Sequence, residues 1–350
     1  MRIIVDVMSG DNAPLELIKG VCSSSYENTD VDYVLVGDEA IIRQTADSLG
    51  LDINRFEIRH TDVVIEMDDD PLCVTRSKSD SSMSVGLRML ADGEGDAFVS
   101  AGNTGALFTG ASLIVRRIPG VRRAAIAAVL PANPPVLLLD SGANINVSPN
   151  YLEEFAVMGS AYMKKILGPE DPRVGLLNNG AEEVKGTELQ VEAHKLLRDN
   201  DLINFVGNIE ANYVMRNRCD VLVTDGFSGN ILLKSIEGMG RLMLKTMKGL
   251  FSRNVRSKAA YALIRGDVAG IKKTFDSSEY GGAPILGIAK PVIKAHGSSK
   301  ERAFKNAIRQ AIEYSKAEIV DDISNDMKAL ADIRKAKKSA AESSVQDDKQ

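Results

Sequence analysis

Apolar residues fall in short runs along the chain, and between the runs they recur at three- and four-residue steps. The runs at 3–7, 33–36, 56–58, 97–100, 125–130, 136–139, 174–177, 203–206 and 221–224 predict strands. The periodic stretches at 14–24, 39–49, 82–92, 104–115, 150–167, 186–199, 229–251 and 300–315 predict helices. Val136-Leu137-Leu138-Leu139 has no polar position, as expected of a strand covered by helices on both faces of a parallel sheet. Strand and helix alternate throughout, so the expected class is α/β, doubly wound around a mostly parallel sheet. The pattern holds to about residue 334, and residues 1–334 read as one domain. Residues 335–350 are Ala, Ser, Lys, Asp and Gln without apolar periodicity, which predicts a disordered, solvated tail.

Composition narrows this little. A net charge of −5 and the absence of Trp argue against a nucleic-acid binder. Cys22, Cys73 and Cys219 are odd in number and far apart, and read as core residues in a reducing compartment. The N-terminus enters a strand pattern at once and no run reaches the ~18 apolar residues of a membrane span, so a cytoplasmic protein is expected.

Ligands of open α/β sheets sit outside the carboxyl ends of the strands. Four loops there are rich in Gly, Asn, Ser, Thr and Asp: 6–12, 100–105, 178–187 and 224–230. In the last three a helix follows, so glycines and free N–H groups could cradle an anion; ordinary turns with Asn and Ser caps are the plainer reading. Known nucleotide signatures are absent: Lys185-Gly186-Thr187 inverts the P-loop order, and no G-x-G-x-x-G follows the first strand.

Taken in order, these stretches resemble one family. Asp6 through Pro14, Pro71 through Arg76 with Lys78, Ser81-Ser82-Met83, Ser100 through Leu107, Asp140 through Asn144, Lys185-Gly186, Thr224 through Asn230 and Tyr280 through Pro284 are similar to the bacterial phosphate acyltransferases of phospholipid synthesis. The match runs from residue 3 to about residue 312. The resemblance implies a fold like that of phosphotransacetylases and isocitrate-type dehydrogenases. It also implies transfer of a fatty acyl group from an acyl-carrier-protein thioester to inorganic phosphate, giving acyl phosphate for glycerol-phosphate acylation. A homodimer, peripheral membrane attachment and contact with the downstream glycerol-phosphate acyltransferase come with it. Five positions depart from the family pattern: Ser9 for Gly, Asn12 for His, Ala124 for Pro, Asn179 for Ile and Ala181 for Glu.

Phosphate is already an anionic nucleophile and a thiolate leaves readily. The reaction therefore needs positioning and oxyanion stabilisation, and neither cofactor nor metal is expected. On this footing Gly102, Asn103, Thr104 and Gly105 are expected to bind phosphate, with Lys185 supplying charge. Asn230 and the N–H groups near Ser228 and Gly229 would hold the thioester oxygen. Arg76 and Lys78 read either as a second anion clamp or as solvated charges, and His296 either protonates the thiolate or is structural. Asp6, Asp11, Ser100, Asn178 and Asp225 complete the site loops.

Between residues 234 and 273 ten Lys or Arg face two acids, a local +8 that leaves −13 on the rest of the chain. Leu232, Ile236, Met239, Met243, Met247 and Leu250 form an apolar stripe, and Lys234, Arg241, Lys245 and Lys248 fall on another face. Residues 230–275 thus predict a protruding basic helical hairpin that docks anionic lipid or the acidic carrier; a core helix with a solvated face fits the same periodicity. Two other functions stay open on the residues alone. One is an NAD(P)-dependent dehydrogenase, of whose clustered Asp residues and Tyr/Lys pair Asp140, Asp225 and Tyr280 offer only fragments; the other is a non-enzymatic carrier scaffold at the membrane.

Overall fold

The computed structural model describes residues 1–274 and 279–347. Along the chain run β1 (Arg2–Asp6), α1 (Leu15–Glu27), β2 (Asp32–Gly37), α2 (Glu39–Leu49), β3 (Glu57–His60), α3 (Ser82–Ala91), β4 (Ala97–Ser100) and α4 (Thr104–Gly110). There follow β5 (Ala125–Ile126), β6 (Ala128–Leu130), β7 (Val136–Leu139), α5 (Pro149–Ile166), β8 (Arg173–Asn178), α6 (Glu188–Arg198), β9 (Asn204–Glu210) and β10 (Val221–Val223). The chain continues with α7 (Gly226–Ser252), α8 (Val255–Thr274), β11 (Gly282–Leu286), β12 (Val292–Ala295), α9 (Glu301–Lys316) and α10 (Ile319–Asp347).

Two sheets form. The order is β3-β2-β1-β4-β12-β11-β5 in the first and β6-β7-β10-β8-β9 in the second. Pairing is parallel except where β11 meets β12 and β5 and where β6 meets β7. The expected single strand at 125–130 is split at Ala127, whose N–H bonds Pro284 O, so that this segment carries the chain from one sheet to the other.

Alternation decides which side chains face which layer. Ile3, Val5, Leu137, Leu139, Val221 and Val223 share one core, together with Phe155 of α5 and Phe304 and Ala307 of α9; this core runs under both sheets. On the opposite face Ile4, Phe98 and Val292 pack with Met83 and Leu87 of α3, while Leu138 and Leu222 pack with Leu232, Leu233 and Ile236 of α7. The carboxyl ends of β1, β4 and β12 in one sheet, and of β7, β10 and β8 in the other, are left bearing the polar loops.

Three further departures have local causes. The helix expected over 104–115 ends at Gly110 and loosens into a π turn at Ala111–Val115, closed by Arg116 at a φ of 73°. β11 and β12 were not expected, because Pro284 and Lys294 interrupt their apolar runs. Where a disordered tail was expected, α10 runs as far as Asp347, and Lys335 to Ser339 on it are exposed.

Candidate active site

At the first sheet's edge Asp6 is fully buried; its Oδ2 accepts from Ser100 Oγ at 2.7 Å and its Oδ1 from Met8 N at 3.1 Å. Ser100 Oγ in turn accepts from Gly102 N at 3.1 Å. These bonds order two strand ends at once. Gly10, at a φ of +114°, lets Asp11 N reach Gly297 O at 2.9 Å, and Asn12 Nδ2 donates to Ser298 O at 3.0 Å. The loops after β1 and β12 are thereby tied together.

The expected phosphate loop is built differently from its sequence reading. Asn103 caps α4 by accepting from Ala106 N at 3.0 Å, and its Nδ2 donates to Glu66 O, Met67 O and Asp69 O. Its side chain straps the acidic 66–70 loop down and keeps no donor for an anion. Gly105 packs so closely on Pro71 that a Cβ would lie 2.7 Å from Pro71 Cγ, while Thr104 is exposed. Lys78 is bound to Asp69 Oδ2 and donates to Val64 O at 3.0 Å. Each partner stabilises the other's charge, so Asp69 sits below and Lys78 above its ordinary range. Lys78 is therefore a structural ion pair and not a clamp. Arg76 is exposed.

In the second sheet Asp140 is buried and wrapped in N–H groups, accepting from Ile126, Gly142, Ala143 and Asn144 at 2.6–3.1 Å. α7 is seated against this loop through glycines: a Cβ at Gly229 would lie 1.9 Å from Asp140 O, and Gly226 N donates to Asn144 O at 2.7 Å. Asp225 caps the helix, its side chain taking Ser228 N at 2.8 Å and its carbonyl taking Gly229 N at 3.0 Å. Those two N–H groups, expected to hold an oxyanion, are thus occupied. Asn230 is exposed over Gly142, whose ideal Cβ lies 3.9 Å from Asn230 Oδ1, and its amide makes no hydrogen bond among the described residues. Asn178 closes its own loop, donating to Lys185 O at 3.0 Å, and leaves the Lys185 side chain exposed. With Asp140 and Asp225 both consumed by backbone donors, the carboxylate pair a dehydrogenase would need is not there.

The two edges approach each other where α7 passes the loop after β12. Asn230 and Lys234 are one turn apart on α7 and share a face. Lys234, bridged to Glu237 at 3.2 Å, lies close enough to Lys294 and His296 to shift both. His296 is exposed, yet partial desolvation by its surroundings, then the Lys234 and Lys294 ammoniums, hold it below its ordinary value. Its Nδ1 lies 2.9 Å from Ser298 Oγ. An imidazole that is neutral near pH 7 suits hydrogen bonding better than protonating a thiolate. Lys294, only 9% exposed, escaped the sequence reading; the signal was a charge set inside the apolar run 291–295.

The sequence profile of a family described as "Fatty acid synthesis protein" matches residues 1–321. A phosphate acyltransferase of Thermoanaerobacter pseudethanolicus is 44% identical over 95% of this chain and 99% of its own length, and one of Brevibacillus brevis is 45% identical over 91% and 95%. The chain belongs to the phosphate acyltransferase family. Its fold is like that of a Streptococcus pyogenes phosphotransacetylase, with a TM-score of 0.58 at 18% identity over 91% of this chain and 94% of that one. Family members thus share a doubly wound α/β architecture with the phosphotransacetylases, and the dehydrogenase and scaffold alternatives lose their ground.

The hairpin of α7 and α8 is only partly a core element. Leu232, Leu233 and Ile236 pack on the second sheet, but Met239, Leu242, Leu250 and Leu263 are exposed beside the exposed Arg241, Lys245 and Lys248. No helix among the described residues is long and apolar enough to cross a membrane.

Proposed function

We propose that this phosphate acyltransferase moves a fatty acyl group from an acyl-carrier-protein thioester to inorganic phosphate where the carboxyl ends of the two sheets meet. A phosphate oxygen attacks the thioester carbonyl, the C–S bond breaks, and acyl phosphate and the carrier thiol leave. The supporting observation is the unbonded amide of Asn230, one turn from Lys234 on α7, with Lys234 in turn close to the buried Lys294. Asn230 Nδ2 donates to the oxyanion as the carbonyl becomes tetrahedral, an interaction worth several kcal/mol when the donor is held in place. Neutral His296 adds a donor through its second ring nitrogen, and the exposed Lys185 of the loop after β8 supplies further positive charge. The cationic, apolar hairpin takes the anionic partners, with the membrane surface on its exposed leucines and the carrier nearer Asn230; a second copy covers what lipid does not.

The test follows carrier thiol release with a thiol reagent. Release should saturate with phosphate and persist with chelator present; phosphate-independent release would refute the reading. Flotation with anionic liposomes should weaken in Lys245→Glu plus Lys248→Glu, and unchanged flotation removes the membrane from the hairpin.

A further inference from the structure

We propose that Lys294 binds the phosphate nucleophile, in an oxyanion pocket formed by the loops after β1, β4 and β12. The assignment rests on the acyl-transfer reading above. Lys294 is level with Ser100 in the β12–β4 pairing, and Ser100 bonds Asp6, so a lysine, a hydroxyl and a carboxylate stand in a row at the ends of three neighbouring strands. By alternation all three point to the face that carries Val292, Phe98 and Ile4. The ammonium is nine-tenths buried, and its only hydrogen bond among the described residues runs to the carbonyl of the adjacent Ala295. No carboxylate there lies within ion-pair distance of it.

Buried cations are ordinarily paired, because leaving water without a counter-charge is costly. The groups that face Lys294 do not supply one. Asp11, from the loop after β1, is near enough to favour the charge, while Lys234 of α7 opposes it; His296 follows on its own loop, and Glu237 is engaged by Lys234. Burial then leads the balance, lowering Lys294 to about 8. Two hydroxyls in the adjoining loops add an independent sign. Ser9 and Ser299 are 1% and 3% exposed and neither Oγ has a hydrogen-bond partner. Ser9 lies against Gly102, whose ideal Cβ would be 3.2 Å from Ser9 Oγ. A dianion here would give the ammonium its counter-charge and the hydroxyls an acceptor.

Initial rates against phosphate, at saturating acyl-carrier thioester, test the assignment in the intact chain. Lys294→Met keeps the unbranched apolar stem and removes the ammonium. Its phosphate KM should rise about tenfold to hundredfold, the loss expected for a hydrogen bond to a charged group, with the donor KM unmoved. Lys294→Arg should recover part of the loss. An unchanged phosphate KM, or a rise confined to the thioester KM, overturns the assignment. Should Lys294→Met fail to fold, the unaltered protein decides. Its phosphate KM must climb as the pH rises through about 8, where the lysine loses its proton while phosphate stays the dianion; a flat profile overturns the proposal. Absent phosphate-dependent turnover in the unaltered protein would sink the acyl-transfer reading itself, whereas normal turnover with an unmoved KM in Lys294→Met sinks only this assignment.

Discussion

Gly229 fixes where Asn230 can be. An alanine Cβ there would sit 1.9 Å from Asp140 O, whereas real Cβ contacts essentially never fall under 3.0 Å, so something must retreat by about 1.1 Å. Asp140 cannot yield easily, since its side chain is held by the N–H groups of residues 126 and 142–144. The start of α7 must therefore move, stretching the 2.7 Å bond from Gly226 N to Asn144 O and carrying Asn230 with it. Overpacking of this kind costs about 1–3 kcal/mol, and a reactive group misplaced by about 1 Å costs roughly a hundredfold in rate. Gly229→Ala is thus expected to lower kcat about a hundredfold, with a melting temperature only a few degrees down. Gly238 on the same helix is the control: nothing lies within 4 Å of its ideal Cβ, so Gly238→Ala should gain about 0.5–1 kcal/mol and keep its turnover. Coupled turnover assays and thermal melts of both variants decide it. A Gly229→Ala protein with full kcat would show that the seating of α7 does not set the reactive geometry.

Asp140→Asn turns one acceptor oxygen into a donor facing N–H groups, and denaturant melts should show a loss of about 2–4 kcal/mol. Arg334 bridges Glu153 at 2.5 Å and Glu154 at 3.1 Å, whose side chains are almost wholly buried, so Arg334→Ala should cost about 3 kcal/mol by the same measurement and leave phosphate KM alone. His296 has its folded value depressed, so the unfolded chain takes up the proton first, and its contribution to stability falls as pH drops below 6.5. Lys234→Met removes one of the cations responsible, and the His296 ring signals followed by NMR should titrate at higher pH than in the unaltered protein; an unmoved titration would mean the two edges do not approach each other.

The sequence was most readable where one local signal acts alone. α2 stands where the periodicity predicts it, because Asp38 caps its start and Gly50, at a φ of 64°, ends it. The site was harder because the same residue types serve capping and binding. Asn103 and Asp225 stand before helices, each next to one Gly, as ligands or as caps would, and in both the backbone N–H groups claimed them. Lys78 looked like half of a clamp until Asp69, nine residues away, proved to be its partner. β12 hid because a lysine within an apolar run reads as a solvated turn; only the neighbouring strands bury it. Asn230, by contrast, kept its amide free beside the glycine loop after β7.

Acyl phosphate itself is the most direct test of the central claim. The purified chain, incubated with an acyl-carrier-protein thioester and phosphate and then quenched with hydroxylamine, should yield acyl hydroxamate in proportion to phosphate. Thioester consumed without phosphate-dependent hydroxamate would contradict acyl transfer to phosphate at this site.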